Sequence, residues 1–589
     1  MNGPGDRASK LPSTREPQRS TSSGAKAPLR RMDVERALPP GSKEFGTFTQ
    51  SFARKLGDLE GASPLVVGGR QPRESDKRQA AAVAFEKSDE AIVPEKSAKT
   101  WVTPVESVEG RAEAEGQSVA RNAPSTQSEI GAPTALQRIR QRAKGKPEGS
   151  WTNLFGHIRE PLLQQAYRSL RRAAATGVDG VTWEAYGERL DERLADLVDR
   201  LHSGRYHPQP VRRVEILKEN GQARPLGIPA LEDKVVQQAV KWLLEPIYEE
   251  LFLGFSYGFR PGRSAHDALD ALAMAMYRTV NWVLDADIRS FFDTIDHGWM
   301  QKFIEHRIGD RRLVRLLMKW MKAGVMKDGE FHEAKAGTPQ GGIISPLLAN
   351  IYLHYVLDLW IQSWRKRHAT GDVYVVRYAD DFTIGFQRER DARAMRQALS
   401  DRMAKFGLEL HPEKTRVLEF GRYAREDRAR RGLGKPETFE FLGFLHIAGE
   451  DRQGKYQLRR HTSGKKLRAK LARIKQECAK RRHARVVEQH AWLRRVVTGH
   501  YNYYAVPTNT IGLKRFRYEV ERIWHRSLQR RSQRGRWRPG QYGRFAERFP
   551  LPNPRIQHPW PNERFAARIA QGGSPVREIR SPGSVRGAG

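Results

Sequence analysis

Apolar positions along this chain recur with two different periods, and the switch between them marks out the folded part. At Leu162, Leu163, Ala166, Tyr167, Leu170 and Ala173 apolar residues return every three or four positions, the period of an amphipathic helix. A turn at Gly177-Val178-Asp179-Gly180 follows, then a second helical stretch from about Leu190 to Leu201. From Val211 to Leu217 the pattern alternates with period two and ends at Glu219-Asn220-Gly221, which predicts a strand entering a hairpin. Helices and short strands then mix up to about Phe444, the texture of an α+β or α/β domain. No fixed-period repeat accompanies them, which argues against a solenoid.

The flanks differ. Residues 1–140 are rich in Ser, Pro, Gly, Ala and charge, hold no sustained period, and are expected to be largely disordered, with 91–116 a candidate for ordering on RNA. Beyond about Gly454 the helical period returns at Leu467, Leu471, Ile474, Trp492, Leu493, Val496 and Val497, now among frequent arginines. Residues 451–589 carry 34 Lys and Arg against 8 Asp and Glu, so +26 of the formal +36 lies there.

That excess, 104 basic residues against 68 acidic ones in 589, needs a polyanion to explain it, and nucleic acid is the leading candidate. The length has room for several domains, at about 100–200 residues each. A hydrophobic content of 38% without any run of about 18 apolar residues argues against a membrane protein, and the polar first thirty residues do not form a secretory signal. Cys478 is the only cysteine, which excludes an intramolecular disulfide and any zinc site built on paired cysteines. A cytoplasmic, bacterial location, with association to the nucleoid open, is the expectation.

The chemistry concentrates at Val373-Tyr374-Val375-Val376-Arg377-Tyr378-Ala379-Asp380-Asp381-Phe382-Thr383-Ile384-Gly385-Phe386, two β-rich arms meeting at a pair of acids. A hairpin with carboxylates at its tip is a poor core element but a rigid support for a divalent cation. A second apolar strand, Val280 to Ile288, ends in Asp287. If the two strands lie side by side, Asp287 faces Asp380 and Asp381, and three carboxylates suit Mg²⁺, which completes its shell with water and substrate phosphates. Two such ions about 4 Å apart can activate a hydroxyl and steady the leaving oxygen in phosphoryl transfer. Adjacent carboxylates on one turn cannot flank a glycosidic bond, and there is neither a G-x-S-x-G elbow nor a Walker loop.

Tyr378-Ala379-Asp380-Asp381 resembles the Y-x-D-D motif of reverse transcriptases, and its neighbours occur in that family's order. They are Arg224-Pro225-Leu226-Gly227-Ile228-Pro229, Tyr257-Gly258-Phe259-Arg260-Pro261-Gly262-Arg263-Ser264, Asp287-Ile288-Arg289-Ser290-Phe291-Phe292-Asp293 and the Gly337 to Ile351 block. After the hairpin come Leu410-His411-Pro412-Glu413-Lys414-Thr415 and Phe439-Glu440-Phe441-Leu442-Gly443-Phe444. The ordered set resembles group II intron-encoded reverse transcriptase/maturases over about Thr176 to Gly443.

The resemblance implies a right-hand polymerase: fingers and palm over 141–450, a helical thumb (maturase domain X) over 451–530, and a basic Arg- and Pro-rich DNA/RNA-binding tail over 531–589. It would make Asp287, Asp380 and Asp381 catalytic ligands of two Mg²⁺ ions, with the Ile288 backbone beside them. Lys218, Arg224 and Gln340 would contact the incoming dNTP, and Phe292 would crowd a ribose 2′-hydroxyl, although Phe291 is open as the alternative. Tyr257, Arg260, Arg263, Tyr378 and Lys414 are candidate nucleic-acid contacts, as are Arg530, Arg531, Arg534, Arg536 and Arg538 around Trp537. Gly499-His500-Tyr501-Asn502-Tyr503-Tyr504 looks like the family's thumb signature, and reads otherwise as core aromatics at a helix end.

The implied function is RNA-directed DNA synthesis on group II intron RNA, assistance to its splicing, and copying during mobility, with a DNA target and primer as further partners. Two alternatives stand beside it: a domesticated or host-defence reverse transcriptase without an intron, and an RNA-binding splicing factor with little polymerase activity. The chain departs from many relatives in having no Cys-rich H-N-H endonuclease, so its primer is expected from elsewhere, such as a replication fork.

Overall fold

The computed structural model describes residues 132–145, 149–217, 223–327, 330–333, 336–338, 340–531 and 540–564. Helices α1 (Ala132–Gly145), α2 (Glu160–Ser169) and α3 (Leu190–His202) form a layer, with α1 and α2 against α4 (Leu231–Glu249) and α3 against α2. The apolar stripe read from the chain is the face that packs: α2 buries Leu162, Leu163, Ala166 and Tyr167, and α3 buries Leu194, Leu197 and Leu201. Helix α2 stops sooner than the periodicity suggests, because Leu170 turns extended (ψ 150) and Ala173 is exposed. The expected boundary at residue 140 falls inside α1, where Ile139 and Ala143 are buried.

Three sheets follow. Strands β1 (Val211–Leu217) and β2 (Ala223–Ile228) make the expected antiparallel hairpin, and β1 pairs in parallel with β4 (Val325–Lys327), which pairs with β5 (Glu330–His332). The central sheet has the order β6-β7-β3-β8, all antiparallel, from β3 (Trp282–Asp287), β6 (Val373–Tyr378), β7 (Asp381–Phe386) and β8 (Arg416–Glu419). Its strands read as nearly continuous apolar runs because both faces are covered. Leu284, Ala286, Phe382 and Ile384 pack into the large core, while Val283, Tyr374, Val376 and Leu418 pack into a second one. The second core includes α5 (Ala265–Met276). The large core also takes in α6 (His297–Glu305), α7 (Arg311–Met321), α8 (Ser345–Leu353), α9 (Leu359–Arg367) and α10 (Glu389–Lys405).

The third sheet, β11-β10-β9, is built from β9 (Phe439–Phe441), β10 (Phe444–Glu450) and β11 (Tyr456–Thr462). The expected boundary at 450/451 therefore cuts a hairpin, and regular strand continues to Thr462. Next come α11 (Gly464–Lys480), α12 (Val486–Tyr504) and α13 (Thr510–Gln529), joined by a core of Leu467, Ile474, Leu493, Val497, Phe516, Val520 and Trp524. After α14 (Gln541–Arg548) the Pro-rich stretch is packed against this bundle: Leu551 is buried in its core and the Tyr501 hydroxyl donates to the Pro552 carbonyl at 3.2 Å. Among the described residues no helix is long and apolar enough to cross a membrane.

Candidate active site

Register brings the acids together. Asp287, at the end of β3, is directly opposite Asp381, the first residue of β7, and Asp285 is opposite Thr383. Directly opposed residues share a face of a sheet, so Asp285, Asp287 and Asp381 project to one side. Asp380 sits in the two-residue turn that joins β6 to β7. Ile288 follows β3 in a bridge to Leu410, and its side chain is buried.

The electrostatics show the crowding. Burial, then the charges of Asp380, Asp285 and Asp287, push the Asp381 carboxyl well above the carboxylate range, offset in part by the Leu442 backbone. Asp285 is pushed up to about 7, first by burial and then, against Arg416, by Asp287 and Glu440. Lys414 is the local counter-ion, its Nζ 2.6 Å from Asp287 Oδ2. Among the described residues no three His, Cys, Asp or Glu side chains form a ready metal cage. Magnesium does not require one, since it is held by one or two carboxylates together with water and substrate phosphates. Hard oxygen donors whose mutual repulsion a divalent cation would relieve fit that ion.

The hairpin tip is held from below by a network that sequence reasoning missed. Arg377, 0% exposed, makes a two-pronged ion pair with Asp358 (Nε–Oδ1 2.7 Å, Nη2–Oδ2 2.5 Å). Its Nη1 donates to Asn350 Oδ1 at 3.1 Å and to the Ala379 carbonyl at 2.9 Å, which fixes the turn just before Asp380. Ala379 has φ 58, in the left-handed region that costs a non-glycine residue about 1–2 kcal/mol. Asp358 reaches Arg377 from a π-helical turn, His354–Asp358, between α8 and α9. Asn350 Nδ2 also donates to the Gly258 carbonyl at 2.7 Å, and a Cβ at Gly258 would lie 2.2 Å from the Ala379 nitrogen, so only glycine lets that loop seat against the tip.

The neighbouring candidates divide. Phe291 is the core residue, 2% exposed, and Phe292 is the half-buried one, its ring edge-on to Phe291 at 5.5 Å. The Gln340 carbonyl accepts from Gly227 N at 2.5 Å, tying its loop to β2, while Gln340 Nε2 lies 3.4 Å from Asp293 Oδ1. Tyr378 is half-buried beside Asp381. Lys414, expected as a nucleic-acid contact, lies instead at the acid cluster. Arg224 is placed opposite Ile216 in the β1–β2 hairpin. Lys218, Arg534, Arg536, Arg538 and the segment 91–116 lie outside the described residues.

Other expectations are corrected. Tyr257 is 3% exposed and lies in the second core, so it offers no stacking surface. Arg260, 5% exposed, is consumed within the protein: it pairs with Glu249 (Nη2–Oε2 3.0 Å) and donates to the Leu253 and Ser256 carbonyls. Arg263 donates to the Gly254 carbonyl at 2.5 Å and covers the Tyr257 ring. Arg531 holds the carbonyls of Arg482 and Ala484 between α11 and α12, whereas Arg530 is exposed. At the end of α12, His500 and Tyr501 are buried and Tyr503 and Tyr504 half-buried, with His500 stacked on Phe516 at 3.7 Å.

Residues 216–446 match the family described as Reverse transcriptase (RNA-dependent DNA polymerase). Over that stretch the chain is similar to reverse transcriptases. It is similar to the Group II intron-encoded protein LtrA of Lactococcus lactis subsp. cremoris, 38% identical over 237 residues, 39% of each chain. Protein YkfC of Escherichia coli (strain K12) is 41% identical over 248 residues, 37% of this chain and 64% of that protein. A more distant relative is the mitochondrial Nuclear intron maturase 3 of Arabidopsis thaliana, 28% identical over 181 residues, 27% of this chain and 25% of its own. The match thus spans about two-fifths of the Lactococcus protein and less than two-thirds of the Escherichia coli one.

Proposed function

We propose that the chain is an RNA-directed DNA polymerase that binds group II intron RNA, assists its splicing and copies it into DNA during intron mobility. The observation that carries the reading is the β3–β7 register, which sets Asp287 opposite Asp381 beside the Asp380 turn. In this reading the central sheet is the palm, the β2-β1-β4-β5 sheet belongs to the fingers, and helices α11 to α13 are the thumb. Asp287, Asp380, Asp381 and the Ile288 backbone would hold two Mg²⁺ ions. When bound, these would acidify the primer 3′-hydroxyl and neutralise charge on the triphosphate.

The chain's own groups do the rest. The rigid hairpin presents its carboxylates without reorganisation, so the primer end meets a fixed geometry. Lys414 Nζ, 2.6 Å from Asp287 Oδ2, orients that carboxylate. Lys218, Arg224 and Gln340 would orient the nucleotide, with charged donors suited to phosphate oxygens. Phe292, packed on Phe291, would present a stiff edge to the sugar and favour dNTPs. Exposed cations on α13, Lys514, Arg515, Arg522 and Arg526, would lie along RNA phosphates.

Extension of a DNA primer on an RNA template by purified protein with Mg²⁺ tests the reading. Asp380→Asn with Asp381→Asn should abolish extension and leave RNA affinity within about two-fold, because phosphate contacts lie elsewhere. Extension that survives the double substitution would remove the assignment.

A further inference from the structure

The loop that carries Gln340 starts from one tightly held peptide. Gly337 has φ 87, and a Cβ there would lie 2.8 Å from the Phe292 carbonyl oxygen and 3.0 Å from Asp293 Cα, so only glycine lets the loop rest on the backbone of the short helix Phe291–Thr294. The Gly337 amide donates to the Ile295 carbonyl and the Thr338 amide to the Phe292 carbonyl, both at 2.8 Å. Gln340 then lies against Asp293 of the same short helix and accepts from Gly227 of β2.

The Gly337 and Thr338 residues are buried, and a buried carbonyl needs a donor. His297 supplies it: its Nε2 is 2.7 Å from the Gly337 oxygen. A carbonyl oxygen can only accept, so Nε2 carries the proton. His297 is 9% exposed and fixed as the first residue of α6, whose start is capped by Asp296 Oδ1 accepting from Trp299 N at 2.7 Å. One peptide unit is thus held at its carbonyl by His297 and, through its amide, holds the Phe292 backbone. The turn that carries Phe292 needs such support, because Ser290, which opens it, sits in the left-handed region at φ 47 and its side chain makes no capping hydrogen bond.

We infer that His297 is a positioning residue for sugar selection: through the Gly337–Thr338 peptide it fixes the Phe292 backbone and, with it, the spacing between the Phe292 ring and Gln340. The inference rests on Phe292 facing the sugar of the incoming nucleotide. With the imidazole donor gone the peptide loosens, the Phe292 turn relaxes, and a ribose 2′-hydroxyl is admitted more readily.

His297→Phe keeps a buried ring and removes the donor, whereas His297→Gln keeps an N–H close to the position of Nε2. The dNTP-to-rNTP ratio of kcat/KM, measured by single-nucleotide primer extension, should fall roughly 2- to 12-fold in His297→Phe, the equivalent of one hydrogen bond at about 0.5–1.5 kcal/mol. It should return toward wild type in His297→Gln. A wild-type ratio in His297→Phe would overturn the inference, as would an equal fall in both variants or a loss confined to the thermal midpoint. Should circular dichroism show His297→Phe unfolded, His297→Asn, whose amide is too short to reach the carbonyl, takes its place with the same readings. Phe292→Val serves as the separate control: a wild-type ratio there sinks the sugar-facing reading itself, whereas a lost ratio there beside a wild-type ratio in His297→Phe sinks only the role of His297.

Discussion

Replacing Arg377 by methionine should separate what the buried network does for stability from what it does for the site. Both Arg377 and Asp358 are 0% exposed, and the substitution leaves Asp358 without either of its guanidinium donors. Burial already pushes the Asp358 carboxyl up, with Arg377 the leading opposing influence, so the orphaned group will take up a proton. Breaking a buried pair on one side costs about 3–5 kcal/mol, a large part of a typical stability of about 5–15 kcal/mol. The thermal midpoint, followed by tryptophan fluorescence, should drop by roughly 6–20 °C. The double variant Arg377→Met with Asp358→Leu should regain most of that loss, because apolar replacement of a buried pair is often neutral. Nucleotide addition should stay slow in the double variant, since the Ala379 carbonyl still lacks the donor that Arg377 Nη1 supplies at 2.9 Å. A shift below about 2 °C in the single variant, against that expectation, or a wild-type rate in the double, would refute this reasoning.

Gly258→Ala should cut extension about 100-fold or more with helix content by circular dichroism unchanged, because its Cβ would sit 2.2 Å from the Ala379 nitrogen and a displacement of about 1 Å at reacting groups has that effect. Acid should destabilise the protein through His266, His354, His446 and His500, each pushed down to about 3 by burial. Their native pKa values lie below the unfolded one, so the stability they contribute is present above about pH 6.5 and lost as pH falls toward 3. His446→Phe, at a fully buried ring, should flatten the stability slope between about pH 6 and 4 by about 1.4 kcal/mol per unit, measured by urea unfolding. Substituting Arg515, Arg522 and Arg526 together by alanine should reduce the slope of log affinity for RNA against log salt by about 2–3, while an unchanged slope would take α13 out of the RNA interface.

Much of this was legible because the local signals agree. The apolar runs at 282–287 and 373–386 could only be covered strands, and acids at their ends could only face one another if the strands were neighbours, which the register provides. The 211–217 alternation likewise became a strand of the β1–β2 hairpin. What stayed hidden depends on partners far along the chain. Arg377 stands inside the Tyr-Ala-Asp-Asp block yet reads as one more polar strand residue, since its partner Asp358 arrives from a π-helical turn. The Tyr257 to Arg263 segment looks like an exposed loop of aromatics and arginines, but Gly258 lets it press against the hairpin tip, and Tyr257 and Arg260, two of the side chains that suggested nucleic-acid contact, are buried. The left-handed Leu442 carries no sequence mark at all, except that the glycine after it signals a tight turn.

In the proposed site, strands β3 and β7 deliver their carboxylates to a common cation. Fe²⁺ substituted for Mg²⁺, with ascorbate and peroxide, cleaves main chain close to where the metal sits. Fragments mapped by mass spectrometry should show cuts beside Asp287 and beside Asp380 and Asp381 together, both suppressed by excess Mg²⁺. Cuts at only one of the two strands, or at neither, would contradict the convergence.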